Sequence, residues 1–184
     1  MVPKQGTARR SFGRDQDGHE PRVLTPAQAE GLARSIGLRL LTAAPRSRSQ
    51  LDVAMTKRGV PPEVAERVLD RFEEVGLVDD QAYADMLVRT RHSERGLVGL
   101  ALAQELRRRG VDDETAVAAM AQVSPDDQAT KAEALAAKKL ASTRGVEPQA
   151  RLRRTVSMLA RKGYPPGLAT EVTRRLLEQE EIGD

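Results

Sequence analysis

Three short segments of this 184-residue chain share one pattern, and each is centred on a glycine. Two basic residues precede the glycine, an apolar or tyrosine residue follows it, and a Pro-Pro or Asp-Asp pair comes next. A basic turn before a glycine is typical of a helix C-terminus, because glycine adopts left-handed dihedral angles and cations suit the negative end of the helix dipole. The three segments are 57–62, 108–113 and 161–166.

Apolar residues recur at fixed distances from each glycine, which predicts three equivalent structural units. Each unit would contain a helix, a glycine stop and a second helix, since Pro and Asp both suit a first helical turn. A further helix would fill the remaining length of each unit, which is roughly 50 residues. The recurring residues are Met55, Leu106 and Leu159 before the glycines, Ala65, Ala116 and Ala169 after them, and then Val68, Ala119 and Val172.

Helix-forming residues dominate the chain after its N-terminal segment, so the predicted fold is all-α. Small three-helix units bury little surface alone, and stacking them in a row buries more. We therefore predict an elongated array of three tandem three-helix repeats with a disordered N-terminal tail. The predicted boundaries are 1–24 for the basic tail, 25–78 for repeat 1, 79–126 for repeat 2, and 127–184 for repeat 3 with its acidic C-terminal end.

Capping residues predict where several helices begin. Thr25 precedes a proline and is the predicted start of ordered structure. Ser49 and Asp52 form a predicted capping box at the start of a second helix. Asp79 or Asp80 is the predicted N-cap of a helix in repeat 2.

The composition excludes several classes of chemistry. The chain has no cysteine, so disulfides, thiolate metal sites and cysteine nucleophiles are impossible. It contains neither a P-loop nor a nucleophile elbow. We therefore expect no catalytic residue, no cofactor and no metal site. No apolar run approaches the roughly 20 residues that a membrane span needs, so we expect a soluble cytoplasmic protein without membrane contact.

The net charge of +3 conceals two regions of opposite sign. Residues 63–85 contain eight acidic and two basic residues, whereas residues 138–162 contain eight basic residues and one acidic residue. Such polarity suggests a partner with its own charge pattern, although solvated helix faces explain it equally well.

Basic clusters are the main candidates for binding, because guanidinium groups bind phosphates and carboxylates. The aromatic residues outside the tail fit apolar helical positions, so we expect contacts with phosphates or protein rather than with bases. The basic candidates are Arg46, Arg48, Lys57, Arg58, Arg89, Arg91, Arg95, Arg107, Arg108, Arg109, Lys138, Lys139, Arg151, Arg153, Arg154, Arg161 and Lys162. The acidic, partner-facing candidates are Glu63, Glu66, Asp70, Glu73 and Glu74.

Several ordered matches resemble one protein family. Residues 76–84, Gly-Leu-Val-Asp-Asp-Gln-Ala-Tyr-Ala, are similar to the signature of the RecX regulatory proteins. Downstream, Arg89-x-Arg91, Gly96 and residues 103–111 match, and upstream Arg48-Ser49-x-Leu51 and residues 57–60 match the first repeat. The resemblance covers roughly residues 30–178. One departure is Val98-Gly99-Leu100, which stands where relatives often carry basic residues.

The resemblance implies an all-helical, cytoplasmic protein without a catalytic centre. Proteins of this family bind the RecA recombinase filament on DNA, lie along its groove and restrain its ATPase and strand-exchange activities. This chain would then regulate recombination and DNA repair as a monomer. Its partners would be the RecA filament and, through weak direct contact, the single-stranded DNA inside it.

Two other functions fit parts of the sequence. A helical module that binds DNA without RecA would explain the basic clusters, although the acidic stretch opposes strong binding over the whole surface. A metal-dependent nuclease would need Asp79 and Asp80 to act with further clustered carboxylates, whereas a helix cap explains this pair more simply.

Overall fold

The computed structural model describes residues 24–183, which form nine helices and no strand. The predicted all-α fold of three tandem three-helix repeats is therefore confirmed. The predicted tail lies outside the described residues except for Leu24, which packs against the first core. The helices are α1 (Pro26–Ala43), α2 (Arg48–Thr56), α3 (Pro62–Glu74), α4 (Asp80–Arg95), α5 (Gly99–Arg108), α6 (Asp113–Met120), α7 (Pro125–Ala141), α8 (Pro148–Arg161) and α9 (Pro166–Gly183).

Each set of three helices encloses its own small hydrophobic core. Helices that pack closely on one another belong to the same repeat: α1–α3, α4–α6 and α7–α9. The residues four positions before the three glycines, Met55, Leu106 and Leu159, are all fully buried, which confirms that they are equivalent. Full burial of such a side chain contributes about 1.5–3 kcal/mol, so each repeat depends on a small number of these residues.

The three glycines end helices in the predicted way. Gly59, Gly110 and Gly163 have φ angles of 79°, 75° and 96°. In each turn the N–H of the following residue donates to a carbonyl five residues earlier, for example Val60 to Met55 at 3.2 Å. This hydrogen bond satisfies a carbonyl that the helix leaves unpaired.

Two of the predicted helix caps are confirmed and one is wrong. Thr25 caps α1, and Asp79 caps α4 by accepting a hydrogen bond from the Ala82 N–H at 2.8 Å. The N-cap of α2 is Ser47, which forms a capping box with Gln50. The predicted box of Ser49 and Asp52 is incorrect, because a serine two residues earlier already begins the helix.

None of the described helices is both long enough and apolar enough to cross a membrane.

Candidate partner-binding surfaces and the joints between repeats

The structure brings four of the basic candidates together between repeats 1 and 2. Arg46 precedes α2, Lys57 follows it, and Arg108 and Arg109 lie at the C-terminal end of α5. All four line one pocket, which we call the basic pocket. Sequence reasoning nominated each residue separately, and the fold is what makes them neighbours.

One carboxylate organises three of the arginines in repeat 2. Glu105 is almost buried, and it accepts hydrogen bonds from Arg108, Arg109 and Arg91. Burial opposes its ionisation, but the hydrogen bonds from Arg108 and Arg91 outweigh that effect and lower the pKa of Glu105. Glu105 was not among the candidates, although its spacing of three and four residues from two arginines is a usable signal.

Arg48 holds part of the acidic face of α3. Its guanidinium group forms ion pairs with Asp70 at 2.7 Å and with Glu73 at 2.6 Å. Glu74 pairs with Arg71 at 2.9 Å, so three of the acidic candidates are engaged within repeat 1. Glu63 and Glu66 are exposed on the same helix. The acidic surface is less available to a partner than the sequence suggests.

Arg151 is not a surface residue, which corrects one expectation about the third repeat. Its side chain is 9% exposed and pairs with Glu180 at 2.6 Å. The same guanidinium group donates to the Leu140 carbonyl at 3.0 Å. Its neighbours Arg153 and Arg154 are exposed and remain available for a partner.

The other basic candidates are distributed along all three repeats. Lys162 is partly buried, and this burial is the main cause that lowers its pKa. The positive charges of Arg95 and Lys131 lower it further. Lys139 is also partly buried. The exposed candidates outside the basic pocket are Arg58, Arg89, Arg95, Arg107, Lys138, Arg153, Arg154 and Arg161.

Repeats 1 and 2 meet at what we call the first joint. The Ser47 hydroxyl donates to the Arg109 carbonyl, and the Arg48 N–H donates to the Asp80 carboxylate at 2.7 Å. Gly110 faces Ser49 so closely that a Cβ on this glycine would clash with the serine side chain. These contacts are polar, and apolar residues of both repeats, including Leu41, Leu77 and Met86, line a further pocket beside them.

Repeats 2 and 3 meet at the second joint in an equivalent place. The Val98 N–H donates to the Lys162 carbonyl at 2.9 Å. Val98 itself is fully buried and belongs to the third core. A Cβ on Gly163 would lie 2.9 Å from the Val98 carbonyl carbon and closer still to its oxygen. The segment that departs from the family pattern is thus a packing element of this joint.

Two pockets at the first joint differ in charge. The basic pocket lies against α2. A second pocket, which shares Ser49 with the basic pocket, is lined by Asp52, Glu66 and Asp80 as well as Arg48. Burial chiefly raises the pKa of Asp80, with Asp112 and Asp79 adding to the rise, while the Arg48 N–H opposes it.

The aspartate pair of repeat 2 has structural roles. Asp79 caps α4, and Asp80 accepts a hydrogen bond across the first joint. Within residues 24–183, no group of three or more His, Asp or Glu side chains is placed to hold a metal ion. The carboxylate set that a two-aspartate nuclease site needs is therefore missing from the described part of the chain.

Models of the three RecX domains match the chain in order. The first three-helix domain matches residues 33–72, the second residues 79–120 and the third residues 126–173. The regulatory protein RecX of Thermobifida fusca is 47% identical over 167 residues, covering 91% of this chain and 90% of that protein. That of Streptomyces coelicolor is 47% identical over 170 residues, covering 92% and 88%.

Solved structures give the same answer for the fold. The crystal structure of RecX from Lactobacillus salivarius has a TM-score of 0.75 at 18% identity, covering 82% of this chain and 97% of that one. A second crystal structure, of regulatory protein RecX, has a TM-score of 0.73 at 26% identity, covering 81% and 73%. With three domain matches in order and relatives of nearly half identity over most of its length, this chain belongs to the RecX family of regulatory proteins.

Proposed function

We propose that the protein binds the RecA recombinase filament on DNA and restrains its ATPase and strand-exchange activities, without catalysis of its own. The observation that carries this proposal is membership of the RecX family over all three repeats. By this action the protein regulates recombination and DNA repair.

The construction of the molecule supports a role in which several repeats contact the filament. Three small cores joined at two narrow joints present a long surface for their mass. Exposed Glu63 and Glu66 lie in the first repeat, and exposed Arg153 and Arg154 lie in the third. Opposite charges on neighbouring RecA subunits would attract these two ends, so that the protein bridges the subunits. A bridge of this kind would keep the RecA subunits from the arrangement in which they hydrolyse ATP.

The test measures ATP hydrolysis by RecA on single-stranded DNA as the protein is titrated in. We expect hydrolysis to fall, and no change at saturating protein would overturn the proposal. Arg153→Glu with Arg154→Glu should weaken binding to RecA-coated DNA while circular dichroism stays unchanged. Arg151→Glu is unsuitable for this purpose, because it breaks the buried pair with Glu180.

Comparing bare DNA with RecA-coated DNA separates the proposal from a DNA-binding module that acts alone. We expect weak binding to bare DNA and tight binding to the coated strand. Equal affinity for both, with a steep salt dependence, would favour the module that needs no RecA.

A further inference from the structure

We propose that the basic pocket at the first joint binds the sugar–phosphate backbone of a nucleic acid strand. The pocket encloses about 350 Å³ between α2 of repeat 1 and the end of α5 in repeat 2. It exists only where the two repeats meet. The choice of ligand rests on the proposed function, whereas the site rests on the position and charge of its lining residues.

The residues around this pocket leave a net positive charge. Arg46, Lys57, Arg108 and Arg109 line it, and no acidic residue does. Glu105 forms ion pairs with Arg108 and Arg109, but it also forms one with Arg91. One carboxylate shared by three guanidinium groups leaves the pocket attractive to an anion.

Two of the cations have unused hydrogen-bonding capacity. The Arg46 Nε atom is buried and has no hydrogen-bond partner. The Arg46 guanidinium group also has no ion pair with residues 24–183, so its charge is not neutralised inside the described part of the protein. Lys57 is exposed and has no ion pair with residues 24–183. These groups are arranged for an anion that the protein itself does not supply.

The remaining lining favours a strand backbone over a base or an acidic peptide. Ser49 and Gln50 add polar groups that can donate to phosphate oxygens, and Val53 and Ala54 complete the lining. No aromatic residue lines the pocket, so a base has nothing to stack on. Successive phosphates along a strand provide the repeated charge that cations on two different repeats can share.

The second pocket at the first joint limits where a strand can lie. Asp52, Glu66 and Asp80 would repel a phosphate there, so a strand is confined to the side of Arg46 and Lys57. A strand held by both repeats would also fix the angle between them. Binding would therefore stiffen the first joint.

The test is the salt dependence of binding to an oligothymidylate, measured by fluorescence anisotropy. The pocket variant is Lys57→Gln with Arg108→Gln. Its matched control is Arg58→Gln with Arg107→Gln, since these exposed neighbours carry the same charge and do not line the pocket. Loss of two phosphate contacts should lower the slope of log affinity against log salt by about 1.4 and weaken binding about 20-fold at 0.1 M salt.

The control variant should keep its affinity within about twofold, and an oligonucleotide of abasic sites should give the wild-type slope. Equal losses in both variants, or no loss in the pocket variant, would overturn the inference. So would loss of binding to RecA-coated DNA with unchanged oligonucleotide binding, since the pocket would then contact protein. Inhibition of RecA is measured separately, so failure of that assay alone removes the proposed function and not the pocket.

Discussion

The two joints occupy equivalent places in the array but are built from different chemistry. In both, the residue before a glycine offers its carbonyl to the N-cap residue of the middle helix in the preceding repeat. At the first joint the donor is the Ser47 hydroxyl, and the neighbouring contact is made by the Asp80 carboxylate. At the second joint the donor is the Val98 backbone, and the Val98 side chain enters the third core. Two lysines of repeat 3 add polar contacts there, with Lys131 donating to the Ser93 carbonyl at 2.6 Å and Lys162 donating to the Arg95 carbonyl.

This difference indicates that the two joints differ in rigidity. A joint made from hydroxyl and carboxylate contacts responds to pH and to bound ions, because those contacts compete with water. The second joint has two exposed lysine contacts that also compete with water, but it adds a buried valine and a backbone hydrogen bond, which water does not reach. We therefore expect movement between repeats 1 and 2, and a more rigid unit of repeats 2 and 3.

Gly163→Ala is expected to have the largest effect and to damage the second joint. The new Cβ would meet the backbone carbonyl of Val98, which no side-chain rotation relieves, and φ at this position is 96°. We expect a loss of about 3 kcal/mol or more in the free energy of unfolding. Urea denaturation measures it, and a loss below about 1 kcal/mol would contradict the rigid geometry of this joint.

Gly110→Ala probes the first joint in the same way, with Gly59→Ala as its control. Both glycines have left-handed φ angles, but a Cβ on Gly110 meets Ser49, whereas a Cβ on Gly59 has open space. We expect the free energy of unfolding to fall by about 2 kcal/mol for Gly110→Ala and by about 1 kcal/mol for Gly59→Ala. Gly110→Val should cause a larger loss than Gly110→Ala. An unchanged thermal melt for Gly110→Val would remove the argument for a glycine cap.

Ser47→Ala removes both a helix cap and the hydroxyl that joins the first two repeats. We expect it to lower the free energy of unfolding by about 1.5 kcal/mol. Ser124→Ala is the control, because Ser124 caps α7 through the Asp127 N–H without contacting another repeat. Chemical denaturation should show a larger loss for Ser47→Ala, and equal losses would mean that the contact with Arg109 contributes nothing.

Tyr164→Phe tests the third core, next to the second joint. The Tyr164 hydroxyl is buried without a hydrogen-bond partner, and burial raises its pKa to about 12. Removing an unsatisfied hydroxyl should raise stability by about 1 kcal/mol in differential scanning calorimetry. The gain should be the same at pH 6 and pH 9, since the hydroxyl stays protonated at both. A destabilised variant would mean that water pairs with this group.

Asp80→Asn should have the smallest effect, and the effect should depend on pH. Because folding raises the pKa of Asp80 above its ordinary value of 3.8, its ionised form is disfavoured in the folded state. The charge therefore lowers stability at neutral pH, and this loss disappears as the pH falls through the raised pKa. Asparagine keeps an oxygen for the Arg48 N–H, so we expect a small gain in stability at pH 7 that vanishes below the ordinary pKa of 3.8. A gain that grows toward low pH would contradict the sign.

Local chemistry made much of the fold predictable from the sequence. The glycine stops and the caps at Thr25 and Asp79 involve residues within a turn of one another, so their spacing is enough. The cap at Ser47 was missed because two serines two residues apart have nearly equal local potential. The choice between them depends on Arg109 and Gly110 in the next repeat.

The binding surface was less predictable, because burial of a charged residue is decided by distant parts of the chain. Arg151 is buried only because α9 returns to place Glu180 beside it. The basic pocket likewise depends on contacts between residues about 50 positions apart. Charge patterns nominated suitable residues, but only the packing of helices separates those that hold the fold from those that face a partner.

The separate cores also bear on how the protein folds during synthesis. Every residue of the first core lies within 29–78, so this repeat can complete its core while the third is still unmade. The second core then adds to a folded neighbour through the Gly110 turn, and the third adds through the Gly163 turn. The repeats would therefore fold one after another as they leave the ribosome, and each folded repeat would provide the surface on which the next one packs.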